Sequence, residues 1–152
     1  RPLAPVVGRV TAAVLVAYLG PLSEYASAAA LEKACGLNLK VKSSGNTAGR
    51  PSITKRGSSV VRHYLFLAAL RLVKNDALIA AWYRARSGYR ADRKLIALIA
   101  VERKLVRALW HVARGEAFDA RKLVDARALV MEAPRDAAKA TPPSATSAPT
   151  PT

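Results

Sequence analysis

The chain holds 152 residues with 25 Lys and Arg against 10 Asp and Glu, a formal net charge of +15 at pH 7. That length suits one domain with one modest core, and a charge so far beyond the needs of solubility points to a polyanion, nucleic acid first, as partner. The single cysteine, Cys35, excludes an intrachain disulfide and nothing resembles a paired Cys or His metal site, which fits a reducing cytoplasm; no apolar run approaches the roughly 20 residues that span a bilayer.

In chain order, Thr11 to Leu19 is uncharged and rich in Ala, Val and Leu, and Gly20-Pro21 stops it, which predicts a short buried helix. Ser27 is a good N-cap for a second helix over Ala28 to Cys35, with Gly36 at the left-handed position beyond its end. The result is a helix-hairpin-helix-like start over about residues 10–36. Leu37 to Val41 reads as extended. Residues 42–57 contain Gly45, Gly49, Gly57 and Pro51, which excludes a regular element and predicts a loop.

From Ser58 the period becomes helical, with Val61, Leu65, Ala68, Ala69 and Leu72 on one stripe and Arg62, Arg71 and Lys74 off it. Asn75-Asp76 interrupts that helix, and a further one runs from about Ala77 to Arg86. The longest is expected from Asp92 to Arg114, with Leu95, Leu98, Leu105, Leu109 and Val112 facing inward and Gly115 as its stop. A last helix is expected from Asp119 to about Met131. From residue 133 the sequence turns to Ala, Pro, Ser and Thr without large apolar side chains, so residues 133–152 are expected to be a disordered tail. The expected fold is all-α: one domain over residues 1–132, with the loop 42–57 inserted among its helices.

Between Glu32 and Asp76 the chain has no acidic residue, yet Lys33, Lys40, Lys42, Arg50, Lys55, Arg56, Arg62, Arg71 and Lys74 all lie in that window. At its centre a small-residue segment, Lys42-Ser43-Ser44-Gly45-Asn46-Thr47-Ala48-Gly49-Arg50, is followed by Ile53-Thr54-Lys55-Arg56-Gly57. Hydroxyls flanked by cations suit a serine acting on a phosphodiester. Lys40, Lys42, Arg50, Lys55, Arg56 and Arg62 are the expected phosphate contacts, with Thr54 and the backbone at Gly45 beside them.

These landmarks, together with Pro5-Val6-Val7-Gly8-Arg9, Cys35-Gly36-Leu37, Val61-Arg62, Ala81-Trp82-Tyr83 and Arg103-Lys104-Leu105, resemble the C-terminal transposase domain of the insertion-sequence 110/116/902 family over roughly residues 5–119. The resemblance implies one part of a DNA recombinase found at mobile elements. Its complete chain adds an upstream RuvC-like domain with acidic ligands for magnesium, and a guide RNA chooses the target in some members. The family serine precedes a glycine and maps to Ser44, with Ser43 the neighbour that a one-residue shift would select. The implied fragment binds DNA, holds no cofactor of its own, and works in a full-length homo-oligomer. No base for the hydroxyl proton is evident, with His63 a guess at most.

Each signal has a plainer reading. Ser43, Ser44, Thr47 and Thr54 suit ordinary turns, and His63, His111, Trp82, Tyr83 and Trp110 suit packing on helices. Cys35 reads as a small buried hydrophobe. The scattered Asp and Glu read as helix-surface charges. The rival functions are a non-catalytic nucleic-acid-binding module, an inactive remnant of a transposase, and a secreted or membrane-associated basic helical protein. The last arises because Arg9, the apolar run to Leu19 and Ala26-Ser27-Ala28 imitate a signal peptide. A chain that starts at Arg1 looks like a piece of something longer.

Overall fold

A computed structural model describes residues 3–40, 52–88 and 90–124, and the architecture is all-α with one minimal β-ladder. A first turn of helix, α1 (Ala4–Val7), precedes α2 (Arg9–Leu19), and a 3-10 turn at Leu22–Glu24 leads to α3 (Ala28–Ala34). Then come β1 (Leu39–Lys40), β2 (Ser52–Ile53), α4 (Ser59–Asn75), α5 (Ala77–Ser87), α6 (Ala91–Ala113) and α7 (Ala120–Leu123). Among the described residues no helix is long and apolar enough to cross a membrane.

The helix boundaries follow local chemistry. Ser27 Oγ accepts from the Ala30 amide at 3.1 Å and Ser58 Oγ from Val61 at 3.4 Å, each satisfying an amide that helix geometry leaves without a partner. Asp76 separates α4 from α5 by accepting from both Leu78 and Ile79 at 2.9 Å. At the end of α3, the Gly36 amide donates to Lys33 and the Leu37 amide to Glu32. This paired closure needs the left-handed backbone that Gly36 adopts at φ 73°. It also turns Leu37 inward, where it is fully buried with Leu31.

The long helix α6 is the organising element, packing on α3, α4 and α5. Its C-terminal half gives Leu105, Val106, Leu109 and Val112 to one cluster with Leu15, Leu31, Leu37, Val61 and Leu65. Its N-terminal half gives Leu98 and Val101 to a second cluster with Ala69, Ile79 and Trp82. Segment 20–27 is tied to the same helix, since Trp110 Nε1 donates to the Tyr25 carbonyl at 2.8 Å and the Tyr25 hydroxyl to Leu19 at 2.9 Å. The packing roles expected for Trp82 and Trp110 are thus seen.

Five expectations need correction. The α2 helix is half-exposed, not buried: only Thr11 and Leu15 are buried, while Val10, Val16 and Tyr18 face solvent, because α2 has α1 and α4 as its main partners. Segment 42–57 is not wholly irregular, since Ser52–Ile53 pairs antiparallel with Leu39–Lys40; two residues are too few to leave a period in the sequence. Leu95 is 58% exposed, and burial on α6 sets in only at Ala97 and Leu98. The last helix does not run on toward Met131: it ends at Leu123, and Val124 is extended and buried. Finally, Glu32 and Glu102 are buried, not on the surface. The predicted tail at 133–152 lies outside the described residues, as do Lys42, Ser43, Ser44, Gly45 and Arg50.

Candidate nucleic-acid interface

The paired strands form a neck from which residues 41–51 depart and to which they return. The register is Leu39↔Ile53 and Lys40↔Ser52, and the pairing continues past the strands, with the Thr54 amide donating to Asn38 and the Lys55 amide to Gly36, both at 2.9 Å. The Thr54 hydroxyl donates to Asn38 Oδ1 at 2.6 Å, so its proton is committed within the neck.

Two glycines let the backbones meet. A β-carbon on Gly36 would stand 2.5 Å from the Arg56 carbonyl oxygen, and one on Gly57 would collide with the Ala34 carbonyl. Between them the chain turns sharply: Lys55 has φ 56°, the one positive value of a non-glycine among the described residues. The Gly57 carbonyl then accepts from Arg62 Nη1 at 2.9 Å, fixing the neck to the first turn of α4.

The neck gathers cations. Lys33, Lys40, Lys55 and Arg56 are all exposed. A depression of ≈ 400 Å³ is lined by Lys33, Asn38, Thr54 and Arg56 with Ala30 and Ala34, and no carboxylate lines it. Of the expected phosphate contacts, the structure brings Lys40, Thr54, Lys55, Arg56 and Arg62 to this neck; Thr54 and Arg62 each already hold an internal bond there. Of the two imidazoles, His63 is exposed on α4 with its ring edge-on to Tyr64, and His111 pairs with Glu116 at 2.6 Å.

Behind the neck lie two buried carboxylates that sequence reasoning missed. Glu32 is clamped by Arg103 Nε on one oxygen and Arg107 Nε on the other, each at 2.7 Å, which joins α3 to α6. Glu102 is 3% exposed, and its Oε1 has no hydrogen-bond partner among the described residues. Burial pushes its carboxyl up to about 7, with the Arg62 charge pulling the other way. Burial, aided by the charges of Glu102 and Glu32, pushes the Cys35 thiol up to about 12, so it stays protonated and unreactive near neutrality.

A pH dependence follows from Glu102. Its folded value lies above the ordinary 4.5, so between these values the folded state binds more protons than the unfolded. The stabilisation is full below about 4.5 and is lost as pH rises through about 7. Thermal melts from pH 5 to 8 should show the native chain losing up to about 3 kcal/mol relative to Glu102→Gln. Parallel curves for the two proteins would refute the assignment.

With the neck in place, the comparison with known families becomes informative. The model of the Transposase IS116/IS110/IS902 family matches residues 4–84, more than half of the chain. The chain belongs to that family. No curated protein and no solved structure matches it. The transposase match takes in α1 through most of α5, and so the whole neck, both docking glycines and the segment 41–51. It stops short of Arg103-Lys104-Leu105, although α6 completes the core beneath.

Proposed function

We propose that this chain is the DNA-binding, serine-bearing part of an insertion-sequence transposase, in which Ser44 attacks a phosphodiester and becomes linked to one DNA end. The carrying observation is the neck: the Lys40↔Ser52 pair holds both ends of segment 41–51, and Lys40, Lys55 and Arg56 stand exposed around it. A phosphate brought there meets positive charge from several sides. That serves both to dock the strand and to offset charge on the pentacoordinate transition state.

The reaction this supports is a transesterification. The Ser44 oxygen forms a bond to phosphorus, the bond from phosphorus to the leaving sugar oxygen breaks, and the serine proton ends on that oxygen. The phosphoserine link keeps the bond energy for rejoining. Among the described residues no group of three or more His, Cys, Asp or Glu side chains suits a metal ion. On this reading magnesium is held by a RuvC-like part of the parent protein, and strand exchange takes place in an oligomer of it.

The direct test is to trap the adduct. A suicide substrate nicked near the scissile phosphate, incubated with the parent transposase, should yield a covalent protein–DNA species whose mass-spectrometric map ends at Ser44. A non-catalytic binding module would bind the same DNA and leave no adduct.

A further inference from the structure

A second basic groove lies on the far reach of the chain, lined, apart from Trp82, by residues beyond those that match the family. It has a volume of ≈ 700 Å³ and is walled by the end of α5, the outward face of α6 and segment 114–123. Five Lys and Arg side chains line it, Arg86, Arg103, Lys104, Arg107 and Lys122, against two carboxylates, Glu116 and Asp119. Both carboxylates are engaged locally, Glu116 with His111 and Asp119 as the N-cap that accepts from Arg121.

Four of the five cations, Arg86, Arg103, Lys104 and Arg107, are held by contacts of their own, unlike those on a freely solvated helix face. Glu32 binds Arg103 and Arg107 through their Nε atoms only, which orients the two guanidinium groups while their terminal nitrogens make no hydrogen bond to the described residues. Lys104 Nζ and Arg86 Cζ lie 5.3 and 5.4 Å from the Trp82 ring centre, so the buried indole anchors both. Arg103, Arg107 and His111 follow one another at four-residue steps, about 6 Å apart along the axis, a spacing comparable to that of successive phosphates in a strand. The floor between them is apolar, with Val112, Phe118 and Leu123.

We propose that this groove is a second binding site for the phosphate backbone of a nucleic-acid strand, separate from the neck. The proposal rests on the reading above that the chain handles nucleic acid. The two sites flank α3: Ala30, Lys33 and Ala34 of that helix line the neck depression, while its Glu32 carries two of the groove's arginines. One strand, or two strands of a junction, is thereby held on both sides of a short helix.

The test measures binding of a labelled DNA duplex and a labelled RNA hairpin to the whole chain across a range of salt. Arg86→Glu with Lys122→Glu should weaken binding of at least one of them about tenfold or more and lower the log–log salt slope by about 2. Lys74→Glu with Arg84→Glu, an equal charge change outside both sites, should weaken it less than about threefold. The probe with the larger loss identifies the strand. Equal losses from the two pairs, or no loss from the groove pair, overturn the proposal.

In case the groove variant folds poorly, a benzophenone on Ala117→Cys at the exposed rim reports on the otherwise native chain. It should crosslink bound nucleic acid more efficiently than one on Ala17→Cys of α2, and an equal or lower yield overturns the proposal. A wild-type chain that binds neither probe would remove the nucleic-acid reading itself. Sensitivity to Lys55→Glu with Arg56→Glu, but not to the groove pair, removes only the second site.

Discussion

Ser44→Ala should leave DNA affinity of this chain within about twofold and reduce strand cleavage by the parent transposase by about 10³-fold or more, as expected when a nucleophile is removed from an otherwise intact site. The asymmetry follows from what each atom does. On the proposed reading, a neutral hydroxyl adds little to an affinity carried by Lys40, Lys55, Arg56 and their neighbours, whereas no other group forms the bond to phosphorus. Ser43→Ala is the internal comparison and should cleave at near the native rate. Loss of cleavage in Ser43→Ala alone would move the nucleophile by one residue, and full cleavage by both variants would exclude serine attack.

The second large effect is on the neck itself. Gly57→Ala and Gly36→Ala should each destabilise the fold by roughly 2–4 kcal/mol, from left-handed strain together with overpacking against backbone that cannot rotate away. Gly57 has φ 141° and Gly36 φ 73°, and the added methyl group meets main-chain atoms of Ala34 or Arg56 in each case. Gly88→Ala separates the two causes. It is left-handed at φ 55° and ψ 29°, but nothing lies within 4 Å of the added carbon, so only the strain of about 1–2 kcal/mol remains. Chemical denaturation should place Gly36→Ala and Gly57→Ala below Gly88→Ala. Equal midpoints for Gly36→Ala and Gly88→Ala would mean that the strands do not dock as described.

How much of this was legible beforehand depends on the range of the interaction involved. Ser27, Ser58, Asp76, Gly36 and Gly115 act on amides and carbonyls within a few residues, so the ends of α3, α4, α5 and α6 could be read almost to the residue. The stripe Val61, Leu65, Ala68 of α4 was equally plain. The neck was only half visible. Its extended first strand was expected, but the return strand depends on Gly57 meeting Gly36, a contact between segments 21 residues apart that no local period encodes.

The buried carboxylates were invisible for the same reason. Glu32 sits between Leu31 and Lys33 in a short helix and reads as a surface charge, while the arginines that accommodate it lie 71 and 75 residues onward. Arg103 and Arg107 at a four-residue step did mark a common helix face, but not what that face would meet. Leu95 misled in the opposite direction: it continues the apolar stripe of α6 by one more turn, yet it is 58% exposed where Leu98 is 4% exposed.

The central position of α6 bears on how such genes can be shortened and still yield protein. A reading frame closed after residue 84 would retain every residue that the family model matches, yet the product would lack Leu105, Val106, Leu109 and Val112, against which Leu15, Leu31 and Leu65 are sealed. It would also lose Arg103 and Arg107, the two guanidinium partners through which Glu32 joins α3 to α6. The smallest unit that can seal this core therefore extends well past the matched residues, at least through the C-terminal turns of that helix.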